Sequence, residues 1–158
     1  DNYEVNTLES NGTVGTPAAT VSSDPTFGTE FTFNTPIPNG TNLMVSREDS
    51  AGNASSTLVV MEDSATSISH AGLAGFDIQA LNLEYSADSD LVLTEADIKA
   101  LSGSTDTVTI HGDTDDQITI SGAQNTGTTQ IDGQTYNVYT LGNDGVTLVI
   151  EQDVTVII

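Results

Sequence analysis

The sequence has no cysteine and no tryptophan, only two cationic side chains, and aromatic residues at just 5 %. Without cysteine there can be no disulfide staple, no thiolate metal site and no cysteine nucleophile. The two cations, Arg47 and Lys99, stand against 23 Asp and Glu, a formal net charge of -21. So few positive charges cannot neutralise phosphates, which excludes nucleic acid as a partner. The same shortage excludes attraction to anionic lipid. No apolar run reaches the roughly 18 residues that a membrane-spanning helix needs. No signal-peptide pattern opens the chain, and Asp1 reads as the start of an excised segment.

What is present argues for order. Only 16 % of the 158 residues are charged and 36 % are apolar, and the apolar residues fall in β-branched runs. The polar remainder is largely Thr, Ser, Asn and Gly, which suit strands and turns. Strand signals recur every 8–12 residues or so, as in a β-sandwich. They cover 3–8, 16–23, 30–34, 43–47 and 57–61, and Pro36 and Pro38 break the run after Phe33. From Glu62 to Gly75 the pattern lapses into small and polar residues, a candidate boundary or insertion point. Beyond it, strands are expected at 76–78, 81–85, 107–110, 117–120, 128–132, 135–141, 146–151 and 154–158. Thr135–Leu141 and Val146–Glu151 read as a hairpin across Gly142-Asn143-Asp144-Gly145. One helix is expected after Thr94, with Asp97 in capping-box position, Glu95 in the first turn and Lys99 near the end. Ile98 and Leu101 give it an apolar face, and Ser102-Gly103 ends it. The predicted fold is therefore all-β, an antiparallel β-sandwich with one short helix. Its segments are 1–63, a linker or insertion point at 64–75, and 76–158.

The acids gather in turns, and calcium is the ion this composition invites, since hard cations take several carboxylate, carbonyl and Asn oxygens. Three clusters qualify: Asp49 with Asn53 and Asp63; Asp88 with Asp90; and Asp113, Asp115 and Asp116. The last alternates within a glycine-containing turn, so its carboxylates can converge. No cluster matches a full EF-hand loop, and no G-G-x-G-x-D repeat occurs. Asp and Asn also populate turns for local reasons, and any one cluster is compatible with that reading. A catalytic constellation is lacking. His70 and His111 have no partner histidine at metal-ligand spacing, and there is no G-x-S-x-G elbow. Glu30, Glu48, Glu62, Glu84 and Glu95 give no carboxylate separation from sequence alone. Tyr136 and Tyr139, three positions apart on one strand, face opposite sides and form no stacking platform. The sequons at Asn11, Asn39 and Asn53 mark exposed turns.

Two stretches carry a family resemblance. Asp49-Ser50-Ala51-Gly52-Asn53, with Gly28–Phe33 and Pro38-Asn39-Gly40-Thr41 before it, resembles the D-x-x-G-N turn region of bacterial immunoglobulin-like extender domains. The run from Leu91 through Ile98, then Gly112–Asp116, then Ile131–Tyr136, resembles a module of the RTX adhesins. These are large calcium-dependent proteins of Gram-negative bacteria exported by type I secretion. Only the later extender strands precede residue 63, and so short a piece buries too little apolar surface to fold alone. The resemblance thus implies one composite core shared by 1–63 and 76–158, a split domain interrupted between them. It implies a monomeric, non-catalytic, calcium-stiffened segment at the cell surface or secreted, whose partners are neighbouring domains of the same chain. The competing reading is a calcium-dependent sugar- or peptide-binding module.

Overall fold

The computed structural model describes residues 2–9, 11–26, 28–61, 73 and 75–158. The chain is mostly strand. In order the elements are β1 (Asn2–Leu8), β2 (Val14–Gly15), β3 (Ala19–Asp24), β4 (Gly28–Phe33), β5 (Asn42–Glu48), β6 (Ala54–Val59), β7 (Ile78–Asn82) and β8 (Asp90–Val92). They continue with α1 (Glu95–Leu101), β9 (Thr107–His111), β10 (Gln117–Thr119), β11 (Gln124–Ile131), β12 (Gln134–Leu141), β13 (Val146–Glu151) and β14 (Thr155–Ile157).

The hairpin across 142–145 forms as the sequence indicates, and another precedes it, one residue earlier at its turn than the expected 128–132 strand allows. Asp132 (φ 50) and Gly133 (φ 89) make the two-residue turn joining β11 to β12; positive φ at both positions matches the strand twist. β12 and β13 pair antiparallel, with Leu141 opposite Val146 across the second turn. Helix α1 starts on the expected box: the Asp97 N–H donates to Thr94 Oγ1 at 3.2 Å, and the Thr94 N–H donates to the Asp97 carboxylate at 2.9 Å. Lys99 reaches Glu95 on the same helix at 3.0 Å and Asp144 in the β12–β13 turn at 2.5 Å. Ile98 and Leu101 are buried beneath it.

The all-β expectation holds, but the antiparallel one holds only in part. A nine-stranded sheet runs β11-β12-β13-β9-β7-β6-β5-β1-β2, and a three-stranded sheet runs β14-β10-β8. Pairing is antiparallel toward both ends of the large sheet, yet β6–β7, β7–β9 and β9–β13 are parallel, as is the whole small sheet. Three strand pairs repeat here: β7 then β8, β9 then β10, β13 then β14. Each crosses from the large sheet to the small one, and each stacks in parallel on the pair before, so the chain coils through three rungs. The return from β8 to β9 is α1, and the return from β10 to β13 carries the β11–β12 hairpin.

The core explains the arrangement. Met44, Leu58, Leu81, Ile110 and Ile150 lie opposite one another in consecutive ladders of the large sheet, and all five are fully buried. Across from them, Leu91, Ile118 and Val156 form the corresponding row of the small sheet. Val156 packs against, and the other members of both rows belong to, one apolar cluster that also takes in Leu8, Val60 and Leu73. Strands with buried inner positions on both sides of the 62–72 stretch therefore feed one core. The β3–β4 hairpin forms a separate two-stranded sheet outside that cluster, with Val21 opposite Phe31 and Ala19 opposite Phe33.

Candidate functional site

Coiling brings three inter-sheet turns to one edge: 83–89, 112–116 and 152–154. Backbone bonds stack them: the Leu83 N–H donates to the His111 carbonyl, Gln117 N–H to Ser89, and Thr155 N–H to Asp116. The middle turn holds the acid cluster. Asp116 is only 1 % exposed. One of its carboxylate oxygens accepts the Ser89 N–H at 3.2 Å, from the preceding rung, and the other accepts the Asp113 N–H at 2.9 Å. Asp113 in turn accepts the Asp115 N–H at 3.4 Å. Gly112 is required by this packing. A Cβ there would stand 2.7 Å from Asp116 Oδ2 and 2.9 Å from Val154 Cγ2.

The three carboxylates of Asp113, Asp115 and Asp116 lie within 4.8 Å of one another. Calcium–oxygen bonds of about 2.4 Å allow two ligands on opposite sides of an ion to be about 4.8 Å apart. The cluster could therefore hold a metal ion, with waters or carbonyls making up the rest of the shell. Its electrostatics are those of crowded acids. The hydrogen bond with Asp113, then desolvation and the Asp113 and Asp116 charges, push the Asp115 carboxyl up. Burial pushes Asp116 up; the Asp113 and Ser89 N–H groups offset this in part, while the Asp113 and Asp88 charges reinforce it. A divalent cation would favour the ionised form of both.

The other expected ligands are arranged differently. Asp88 acts on Asp116 through its charge, but Asp90 sits on the small sheet, where it accepts Gln117 Nε2 at 3.2 Å. Asp49 and Asn53 do meet, across the β5–β6 turn. Asp49 Oδ1 accepts the Ala51 and Asn53 N–H groups at 2.8 and 2.9 Å, and Oδ2 accepts Asn53 Nδ2 at 2.8 Å. The bond from the Asn53 side chain leads in holding the Asp49 carboxyl below its ordinary value. That carboxylate closes a turn, and its fellow candidate Asp63 lies outside the described residues.

Several groups at this edge carried no sequence signal. Glu151, 6 % exposed, accepts the Gly112 N–H at 3.2 Å and Gln134 Nε2 at 3.3 Å. Ser89 supplies the bridging N–H. His111 is half-buried: its Nδ1 lies 2.9 Å from the Tyr136 hydroxyl, with the rings edge to face. Burial, helped by the Glu151, Glu84 and Asp132 charges, raises the Tyr136 hydroxyl. Tyr139, on the opposite face of β12, joins the apolar core. His70 lies outside the described residues. The Ser89–Asp116 and Glu151–Gly112 contacts join residues from different rungs, and the other two reach into β12; no local pattern announces such neighbours.

No family model matches the sequence, and neither a curated protein nor a solved structure matches it. No helix among the described residues is long and apolar enough to cross a membrane.

Proposed function

We propose that the chain is a non-catalytic structural segment of a bacterial surface adhesin of the RTX type. In this reading it holds neighbouring domains of the same chain in position outside a Gram-negative cell, as a monomer, and calcium stiffens its turn edge. The observation that carries the reading is the Asp113, Asp115 and Asp116 cluster, seated where one rung is bonded to the next. Calcium there would neutralise converging carboxylates and lock one turn relative to another, which suits a part that transmits load. The antiparallel strands β1, β5 and β6 would be the immunoglobulin-like element of a sandwich, completed by the small sheet. The row from Met44 to Ile150 supports a split domain: residues 1–63 and 76–158 contribute adjacent members of one sheet.

Calorimetry with millimolar calcium and with chelator tests the proposal. A higher melting temperature with calcium is expected, and it should be lost in a variant with Asp113, Asp115 and Asp116 all changed to Asn. An unchanged melt would remove the calcium part. A specific hit on a glycan array run with and without calcium would replace the scaffold reading by a binding one.

A further inference from the structure

We infer that Asn39 is a site of spontaneous backbone modification, through a cyclic imide to aspartate and isoaspartate, and that Asn11 is held unreactive by its turn. Both residues are exposed and both precede a glycine. Asn-Gly pairs are the thermolabile sequence of choice, because glycine puts no side chain between its own nitrogen and the Asn carboxamide. Gly12 and Gly40 have nearly the same φ, 83 and 79. What differs is the bonding. At the first site the Gly12 N–H donates to the Glu9 carbonyl at 2.8 Å, and Asn11 Oδ1 accepts the Thr13 N–H at 2.8 Å. The nucleophile and the electrophile are each tied to something else.

At the second site the turn is closed by the Thr41 N–H donating to the Pro38 carbonyl at 3.3 Å, around the pair rather than through it. Among the described residues, no hydrogen bond engages the Asn39 side chain or the Gly40 N–H. Its chain neighbours aside, no heavy atom lies within 4 Å of where a Gly40 Cβ would stand. The Gly40 nitrogen, losing its proton, attacks Asn39 Cγ. The new N–C bond forms as the carboxamide nitrogen leaves as ammonia, carrying that proton. Water then adds to either imide carbonyl and opens the ring to aspartate or isoaspartate. One more negative charge joins a chain already at -21. The isoaspartate product also lengthens the backbone just ahead of Thr41 and Asn42, which are buried.

The test uses the intact chain in mildly alkaline buffer made with heavy-oxygen water, followed by digestion and mass spectrometry. Label should enter the peptide containing Asn39 faster than that containing Asn11 by on the order of tenfold, the factor that breaking two modest hydrogen bonds before reaction implies. In urea the two rates should converge, because the bonds guarding Asn11 are gone. Equal native rates, faster labelling at Asn11, no native labelling at Asn39, or a ratio that urea leaves unchanged would each overturn the inference.

Discussion

The Asp116 carboxylate accepts the Ser89 N–H at 3.2 Å, so a side chain of the second rung closes the backbone of the first. Its other oxygen takes the Asp113 N–H at 2.9 Å. Asp116→Ala removes the acceptor of the buried Ser89 N–H and of the part-buried Asp113 N–H, a loss of about 1–3 kcal/mol. Urea denaturation should show a lower midpoint at unchanged slope. A midpoint equal to the parent's would mean that water replaces the carboxylate at no cost.

Acid and neutral pH should separate two kinds of carboxylate. Asp115 and Asp116 are raised in the folded state, so their ionisation opposes folding. Their favourable contribution is complete below the unfolded value of 3.8 and is lost as pH rises through the raised folded values. Asp49 is lowered, chiefly by the bond from the Asn53 side chain. Its contribution is present above 3.8 and disappears as pH falls through the lowered value. In calcium-free buffer, Asp115→Asn should therefore melt higher than the parent at neutral pH, with the gain shrinking in acid. Asp49→Asn should melt lower at neutral pH, with the deficit shrinking in acid. Melting curves of the three proteins across that range check both signs.

The sequence made the local parts legible. The capping box at Thr94 and Asp97, the 142–145 hairpin and the opposed faces of Tyr136 and Tyr139 all follow from spacing and turn chemistry. The convergence of Asp113, Asp115 and Asp116 was also readable, because alternation inside one short turn limits where the carboxylates can go. The coil was not. Leu81, Ile110 and Ile150 are neighbours only because strands pair in parallel across long returns, one helical and one carrying a hairpin. Returns of unequal length hide the repeat from any search for a fixed period. Ser89 and Glu151 entered the site by the same route, and so had no pattern to betray them.

Gly112 should tolerate no side chain. A Cβ would meet Asp116 Oδ2 at 2.7 Å and Val154 Cγ2 at 2.9 Å, and the carboxylate is pinned by its two N–H donors. Gly112→Ala is expected to cost about 1–3 kcal/mol through overpacking. Adding Val154→Ala should recover part of that loss, since it relieves one of the two clashes. The measurement is a double-mutant cycle on denaturation midpoints, and strict additivity would show that the two side chains do not meet.

The row from Met44 to Ile150 makes a prediction about cooperativity. Leu81 lies between Leu58 of the first segment and Ile110 of the coil, with no exposed surface. Leu81→Ala should leave a cavity between them and cost about 2–5 kcal/mol. If the two segments share one core, the loss must appear equally wherever it is read. Amide exchange followed at Val45 in β5 and at Tyr139 in β12 should report the same reduced opening energy, and both should collapse in one transition on heating. Exchange that accelerates at Tyr139 while Val45 keeps the parent's protection would show two cores in contact, with residues 1–63 folding on their own account.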